Sequence, residues 1–180
     1  MKRITKINIF CIVFFLAINS NIFSLGAGFQ ISAVPGLSIS QDNIKTDKMT
    51  SNITGTFSLS RIPLTIGSGI DIGKLNSEFG YGISFFGDFK AADFQITNLL
   101  NLYSGFGSSI KFVTSNFKDY TLTAGARFFA GLNRFFYDGY LELYFQQNIV
   151  PSYLKNLQDS NSKPGFMLYL PFESGLRLHF

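Results

Sequence analysis

Tryptophan is absent from the 180 residues, histidine and cysteine occur once each, and proline only five times. The lone cysteine, Cys11, excludes an internal disulfide, and a mature chain that has lost it with a leader offers no thiolate to a metal. It lies inside an apolar run rather than at its end, which argues for a cysteine lost with a leader and against a lipid-carrying one. The lone histidine, His179, is the second-last residue. Serine–histidine–acid chemistry needs an imidazole beside the nucleophile and an acid to orient it. His179 falls one residue from the end of the last alternating segment, at the rim and at the wrong height for such a site, and no second histidine replaces it. No His/Cys/Asp cluster has metal-ligand spacing and no glycine-rich phosphate loop is present. Neither catalysis nor a cofactor is expected.

A membrane-spanning helix is missing too. The one long apolar run, at 7–18, falls short of the roughly 20 residues a helix needs to cross a bilayer. Lys2, Arg3 and Lys6 precede it and small or polar residues follow to Gly26, the layout of a secretory signal peptide. Ser24 and Gly26 suit cleavage after Gly26, although any site from 20 to 27 fits the pattern. Residues 1–26 are thus read as the leader and 27–180 as a single domain. The leader takes three of the 15 basic residues and none of the 11 acidic ones, leaving 12 against 11. The basic surplus belongs to targeting, so a nucleic-acid partner, which wants a basic stripe, has no support.

What the chain does contain is alternation. Apolar residues at every second position face one side of a strand and their neighbours the other. Phe29, Ile31, Ala33, Leu37 and Ile39 alternate with Gln30, Ser32 and Ser38. The same period runs through 52–60, 64–72, 79–96, 102–112, 120–130, 141–149 and 166–180, which makes eight strands. In 79–96 the apolar parity flips near Ala91 and Ala92 and predicts a bulge. Residues 97–101 are a tight link or a short helical turn. In the last strand Phe166, Leu168, Leu170, Phe172, Leu176, Leu178 and Phe180 share one parity, while Glu173, Arg177 and His179 take the other.

An even strand number and about 150 residues suit the smallest closed membrane barrel. The expected fold is all-β: an eight-stranded antiparallel up-and-down transmembrane β-barrel. Short periplasmic turns fall near Pro63, Asn98 and Asn133–Arg134, and four longer external loops at 41–51, 73–78, 113–119 and 150–164. These loops are mixed in charge and hold no basic cluster or aromatic anchor. Lipid satisfies no open sheet edge, so the first and last strands must pair. Many of the 22 phenylalanines, among them Phe112, Phe117, Phe135, Phe136 and Phe180, sit near strand ends as interfacial girdles do. A soluble lipocalin-like barrel needs an apolar inner face. Here the second face is Gly, Ser, Thr and charge.

By parity the lumen receives Asp71, Asp88, Lys90, Asp93, Lys111, Arg127, Glu142, Glu173 and Arg177, with His179 at the periplasmic rim. Buried singly these charges would be costly, so they are expected to pair. Eight strands leave an interior just wide enough for side chains, which favours a salt-bridged plug over an open channel. Inward glycines, Gly67, Gly69, Gly80, Gly82, Gly105 and Gly107, make room for Tyr103 or Phe86. Pro35 and Pro171 are expected at similar height on the strands that close the ring. Proline gives no ladder donor, so they mark either ordinary bulges or a lateral seam.

The last eight residues, Glu-Ser-Gly-Leu-Arg-Leu-His-Phe at 173–180, resemble the C-terminal signal by which outer-membrane barrels reach their insertion machinery. Glu173, Gly175, Leu178 and Phe180 carry that pattern. With Ala-Asp-Phe at 92–94, Leu-Tyr-Ser-Gly-Phe-Gly at 102–107, Gly-Ala-Arg at 125–127, Ala-Gly-Leu at 130–132 and Leu-Glu-Leu at 141–143 followed by Pro151, the chain resembles small outer-membrane barrels of the OmpX/OmpA/OmpW type. It is most similar to a group of spirochaete outer-membrane proteins of unassigned role. It lacks the peptidoglycan-binding domain of OmpA and the tryptophan usual in such barrels. The resemblance implies an integral protein of the cell outer membrane, exported by its cleaved signal peptide, with lipid and the insertion machinery as partners and loops free to meet a host or environmental ligand. Two functions follow as expectations: a structural barrel with surface loops for adhesion or ligand contact, or a narrow channel or transporter for small solutes, with or without a gate at the Pro35/Pro171 seam.

Overall fold

A computed structural model describes residues 25–39, 44–59, 62–75, 78–114, 117–158 and 165–180. Most of the expected signal peptide, residues 1–24, lies outside the described residues. The strands are β1 (Leu25–Ile39), β2 (Ile44–Leu59), β3 (Leu64–Leu75), β4 (Glu78–Thr97), β5 (Leu100–Thr114), β6 (Tyr120–Phe136), β7 (Leu141–Asn156), β8 (Gly165–Tyr169) and β9 (Phe172–His179). Each neighbouring pair is antiparallel. β1 pairs β2 on one edge and both β8 and β9 on the other, which closes the ring.

β8 and β9 are two halves of one strand position. Ala33 stands opposite Phe172 and Gly36 opposite Tyr169, so two residues on each side bridge the break without loss of register. Against β7 the same holds, with Gln147 opposite Phe172 and Val150 opposite Tyr169. The barrel therefore has eight strand positions, the last broken at Leu170 and Pro171.

Several boundaries differ from the sequence reading. β1 starts at Leu25, two residues before the expected domain start, and Leu25 exchanges backbone hydrogen bonds with Phe180 at 2.8 and 2.9 Å. β2 begins at Ile44, inside the expected 41–51 loop, because Ile39 and Ile44 still pair. β7 runs through Pro151 to Asn156 and takes the first part of the expected 150–164 loop. Counting apolar alternation ends a strand where it leaves the apolar belt, whereas backbone pairing continues. The turn expected at Asn133–Arg134 lies instead at 137–140. Tyr137, Asp138 and Gly139 have φ of 52°, 56° and 95° there, the left-handed backbone a tight reversal needs. Asn133 and Arg134 remain in the ladder opposite Tyr144 and Leu143. Residues 97–101 hold a turn at Asn98–Leu99, with no helix. The parity flip at 91–92 is a register shift between Lys90 and Ala92.

The distribution of side chains is inside-out. Phe29, Ile53, Ile70, Ile83, Phe106, Phe128 and Ile149 are among the exposed residues, while Gln30, Thr54, Asp71, Asp88, Arg127, Asn148 and Glu173 are buried. Tyr81 and Phe117 stack at the loop end of the barrel, and Phe135, Tyr137, Tyr140 and Phe180 stand exposed at the end that carries the termini. An apolar exterior around a polar interior is stable only where the surrounding solvent is itself apolar.

Candidate functional site: the layered lumen

Alternation aims every second side chain inward, and antiparallel register brings inward residues of different strands to equal heights. They form four layers. Nearest the termini, Glu142 accepts from Arg177 Nη1 at 2.7 Å and Asn133 Nδ2 at 2.6 Å, and lies 2.9 Å from His179 Nε2. At the same rim Lys90 reaches Asp93 at 3.1 Å, both partly exposed. The next layer is aromatic. Tyr103 and Phe129 meet edge to face at 6.2 Å, and Tyr144 donates to Gln30 at 2.8 Å. Arg177 lies over the Tyr144 ring and Lys90 over Tyr103, tying this layer to the rim by cation–π contacts.

The third layer centres on Arg127. Its Nε and Nη2 grip Asp88 at 2.8 and 3.0 Å, and Nη2 also reaches Glu173 at 3.1 Å and Asn148 at 3.2 Å. Gln146 donates to Asn148 at 2.8 Å and accepts from Tyr103 at 3.1 Å, linking the second and third layers. The guanidinium also covers the Phe86 ring at 4.4 Å. One fixed cation thus faces two buried carboxylates through bidentate, charge-assisted bonds. Nearer the loops, Lys111 pairs with Asp71 at 2.5 Å and lies 5.7 Å from the Tyr169 ring. Between these two layers a cavity of about 60 Å³ has room for a few waters.

Close fits at glycines make the layers possible. A Cβ on Gly67 would stand 2.3 Å from the Phe86 ring. Tyr103 occupies the space over Gly131, a glycine outside the expected set, and Gly105 faces Phe129 rather than Tyr103 or Phe86. The terminal-signal residues divide by face. Glu173 and Gly175 point inward, the latter beneath the Tyr144 hydroxyl, whereas Leu178 and Phe180 are 54% and 64% exposed outside.

The two prolines face each other obliquely across β1 and the broken strand: Pro35 is opposite Leu170, and Pro171 opposite Val34. They do not weaken the same edge. At each residue of an antiparallel strand the N–H and C=O point to one neighbour. Pro35 O accepts from Leu170 N at 3.0 Å, so its missing donor faces the last strand. Pro171 O accepts from Asn148 N at 2.9 Å, so its missing donor faces β7. The break is loosened on both edges by one bond each.

Tyr144, Gln146 and Asn148 share the inward parity of Glu142 on β7. Gln30, Phe129 and Asn133 are further partners, all inward by the same count. Among the described residues no three His, Cys, Asp or Glu side chains form a metal-ligand group.

Closed ring, broken eighth strand, apolar outside and layered polar lumen can be set beside solved structures. The chain is similar to Neisserial surface protein A (NspA), with a TM-score of 0.54 at 13% identity over 86% of this chain and 97% of that one. The fold is that of the small outer-membrane barrels. The N-terminal β-barrel domain of Pseudomonas aeruginosa OprF and Ail, the attachment invasion locus protein of Yersinia pestis, also align, at TM-scores of 0.39 and 0.38, 13% and 11% identity, 85% and 88% of this chain, and 97% and 99% of theirs. No protein-family model and no curated protein matches the sequence. At these identities the likeness to outer-membrane barrels is one of fold.

Proposed function

We propose that the chain is an integral outer-membrane barrel with a closed lumen, acting as a structural wall whose loop end contacts a ligand or host surface. The observation that supports closure is the Arg127 layer, where side chains from β4, β6, β7 and β9 meet across the interior. The aromatic layer beneath it adds a second block in series. Surface contact is supported by the strands that continue past the apolar belt at the loop end, β1 and β2 as far as Ile39 and Ile44 and β7 to Asn156. A leader cleaved within 20–27 supplies export, and the terminal strand the hand-over to insertion machinery. Planar-bilayer recording on the refolded protein tests the reading. Silence is expected, and steady single-channel openings would sink it.

A second reading, a narrow transporter for small solutes, is favoured by one observation. The cavity between the third and fourth layers is lined by Pro171, at the break in the wall. A solute there has a short path sideways into lipid.

A further inference from the structure

Gln147 is a polar residue on the outer face of β7, between Phe145 and Ile149, both 50% exposed to the surroundings. An amide directed at lipid is unfavourable unless it is hydrogen-bonded. Its Nε2 donates to the carbonyl of Asn148 at 3.0 Å and to that of Pro171 at 3.3 Å. Pro171 has no N–H to give β7, and the Asn148 carbonyl is the acceptor that such a donor would have met. Gln147 therefore stands in for the absent backbone donor. On the inner face Asn148 Nδ2 approaches the same Pro171 carbonyl at 3.4 Å, while its Oδ1 accepts from Arg127 and Gln146.

The break is clasped from both faces, and the inner clasp is fastened to the ion cluster. Behind it lies the cavity. Val34, Val150 and Pro171 form its wall towards the break, and Asp71, Lys111 and Arg127 line it too. We propose that the line between β7 and the β8–β9 break is a lateral gate for a small amphipathic solute, with Gln147 and Asn148 as latches and Arg127 as the lock. This rests on the transporter reading and specifies its route and its regulation. It takes the clasped β7 edge, rather than the β1 seam, as the line that opens.

The test uses the full chain refolded in lipid vesicles. Backbone amide exchange at Asn148 is followed by NMR, and transfer of the apolar dye N-phenyl-1-naphthylamine by fluorescence. Gln147→Leu suits lipid but removes the clasp, so Asn148 exchange should rise about fivefold, the worth of one hydrogen bond, and dye transfer should rise with it. Pro171→Ala restores the donor and should slow both. Phe145→Leu, one position away on the same face, is the control. Gln147→Leu behaving like Phe145→Leu in exchange would overturn the latch whatever the dye does. Exchange responding as expected with no dye transfer in any form would overturn the gate and the transporter reading, leaving a repaired wall.

Discussion

Replacing Arg127 by alanine removes the one cation of the central layer and leaves Asp88 and Glu173, 5% and 3% exposed, without a partner of opposite charge. Five hydrogen bonds and the contact with Phe86 go with it. At about 1.5–3 kcal/mol for each bond to a charged group, the sum would exceed the whole stability of many domains. That sum overcounts, because the bonds share one guanidinium and the stranded carboxylates can take up protons or water. The relevant figure is the cost of breaking a buried ion cluster from one side, about 3–5 kcal/mol. The measurement is urea unfolding of the refolded protein in micelles, followed by far-UV circular dichroism since there is no tryptophan to report. A triple variant, Arg127→Met with Asp88→Asn and Glu173→Gln, buries no charge and should recover most of the loss. Arg127→Ala within about 1 kcal/mol of the parent, or a triple variant no better than the single one, would refute the argument that stranded charge dominates.

Three further outcomes are expected. Ile70→Arg, within the apolar belt, should lower stability by about 2–4 kcal/mol in the same assay, whereas Tyr137→Arg at the terminal-end turn should change it little, since the lipid penalty depends on depth. Gly175→Val would set a Cβ 2.5 Å from the Tyr144 hydroxyl and 2.7 Å from the Phe29 carbonyl; a loss of about 1–3 kcal/mol is expected, and Tyr144→Ala should relieve only part because the carbonyl remains. Mass spectrometry of the exported protein should find its N-terminus at or before Leu25, because cleavage after Gly26 would discard the two bonds between Leu25 and Phe180.

Parity carried most of the fold. Eight strand positions, the 91–92 bulge and the inward set follow from which residues alternate with which, since a strand's two faces are fixed by its period; ring closure follows because lipid satisfies no open edge. Strand ends were not legible, because Lys45 and Thr46 in β2 or Lys155 in β7 pair through their backbones while their side chains carry no apolar period. The true position of the 137–140 turn depended on Asp138 and Gly139 taking positive φ, a signal present in the sequence but outweighed there by Asn133–Arg134. Partnerships were beyond reach for another reason. Parity says that Arg127, Asp88 and Glu173 point inward, but register decides that they meet, and register is a property of the pairing. Gln147 carries no signal in the alternation: as a polar residue on the apolar parity it reads as an imperfection, and only the carbonyls of Asn148 and Pro171 give it partners.

The layers also decide how any traffic through this barrel must run. Along the axis, obstacles lie in series, so the tightest one governs passage. Opening the Arg127 layer would still leave the Tyr103–Phe129–Tyr144 layer, held by Gln30, Gln146 and Arg177, and below it the Glu142 cluster. With the lumen closed as proposed, axial conduction requires the three linked layers to rearrange in turn, each breaking buried polar contacts. The sideways path from the cavity starts on the loop side of all three. It meets only the Leu170–Pro171 break, where each edge already lacks one backbone donor and the clasp consists of two side-chain amides. A solute crossing this protein at all would meet the lower barrier in the wall, and a change at Arg127 would act on it through Asn148 rather than by widening a pore.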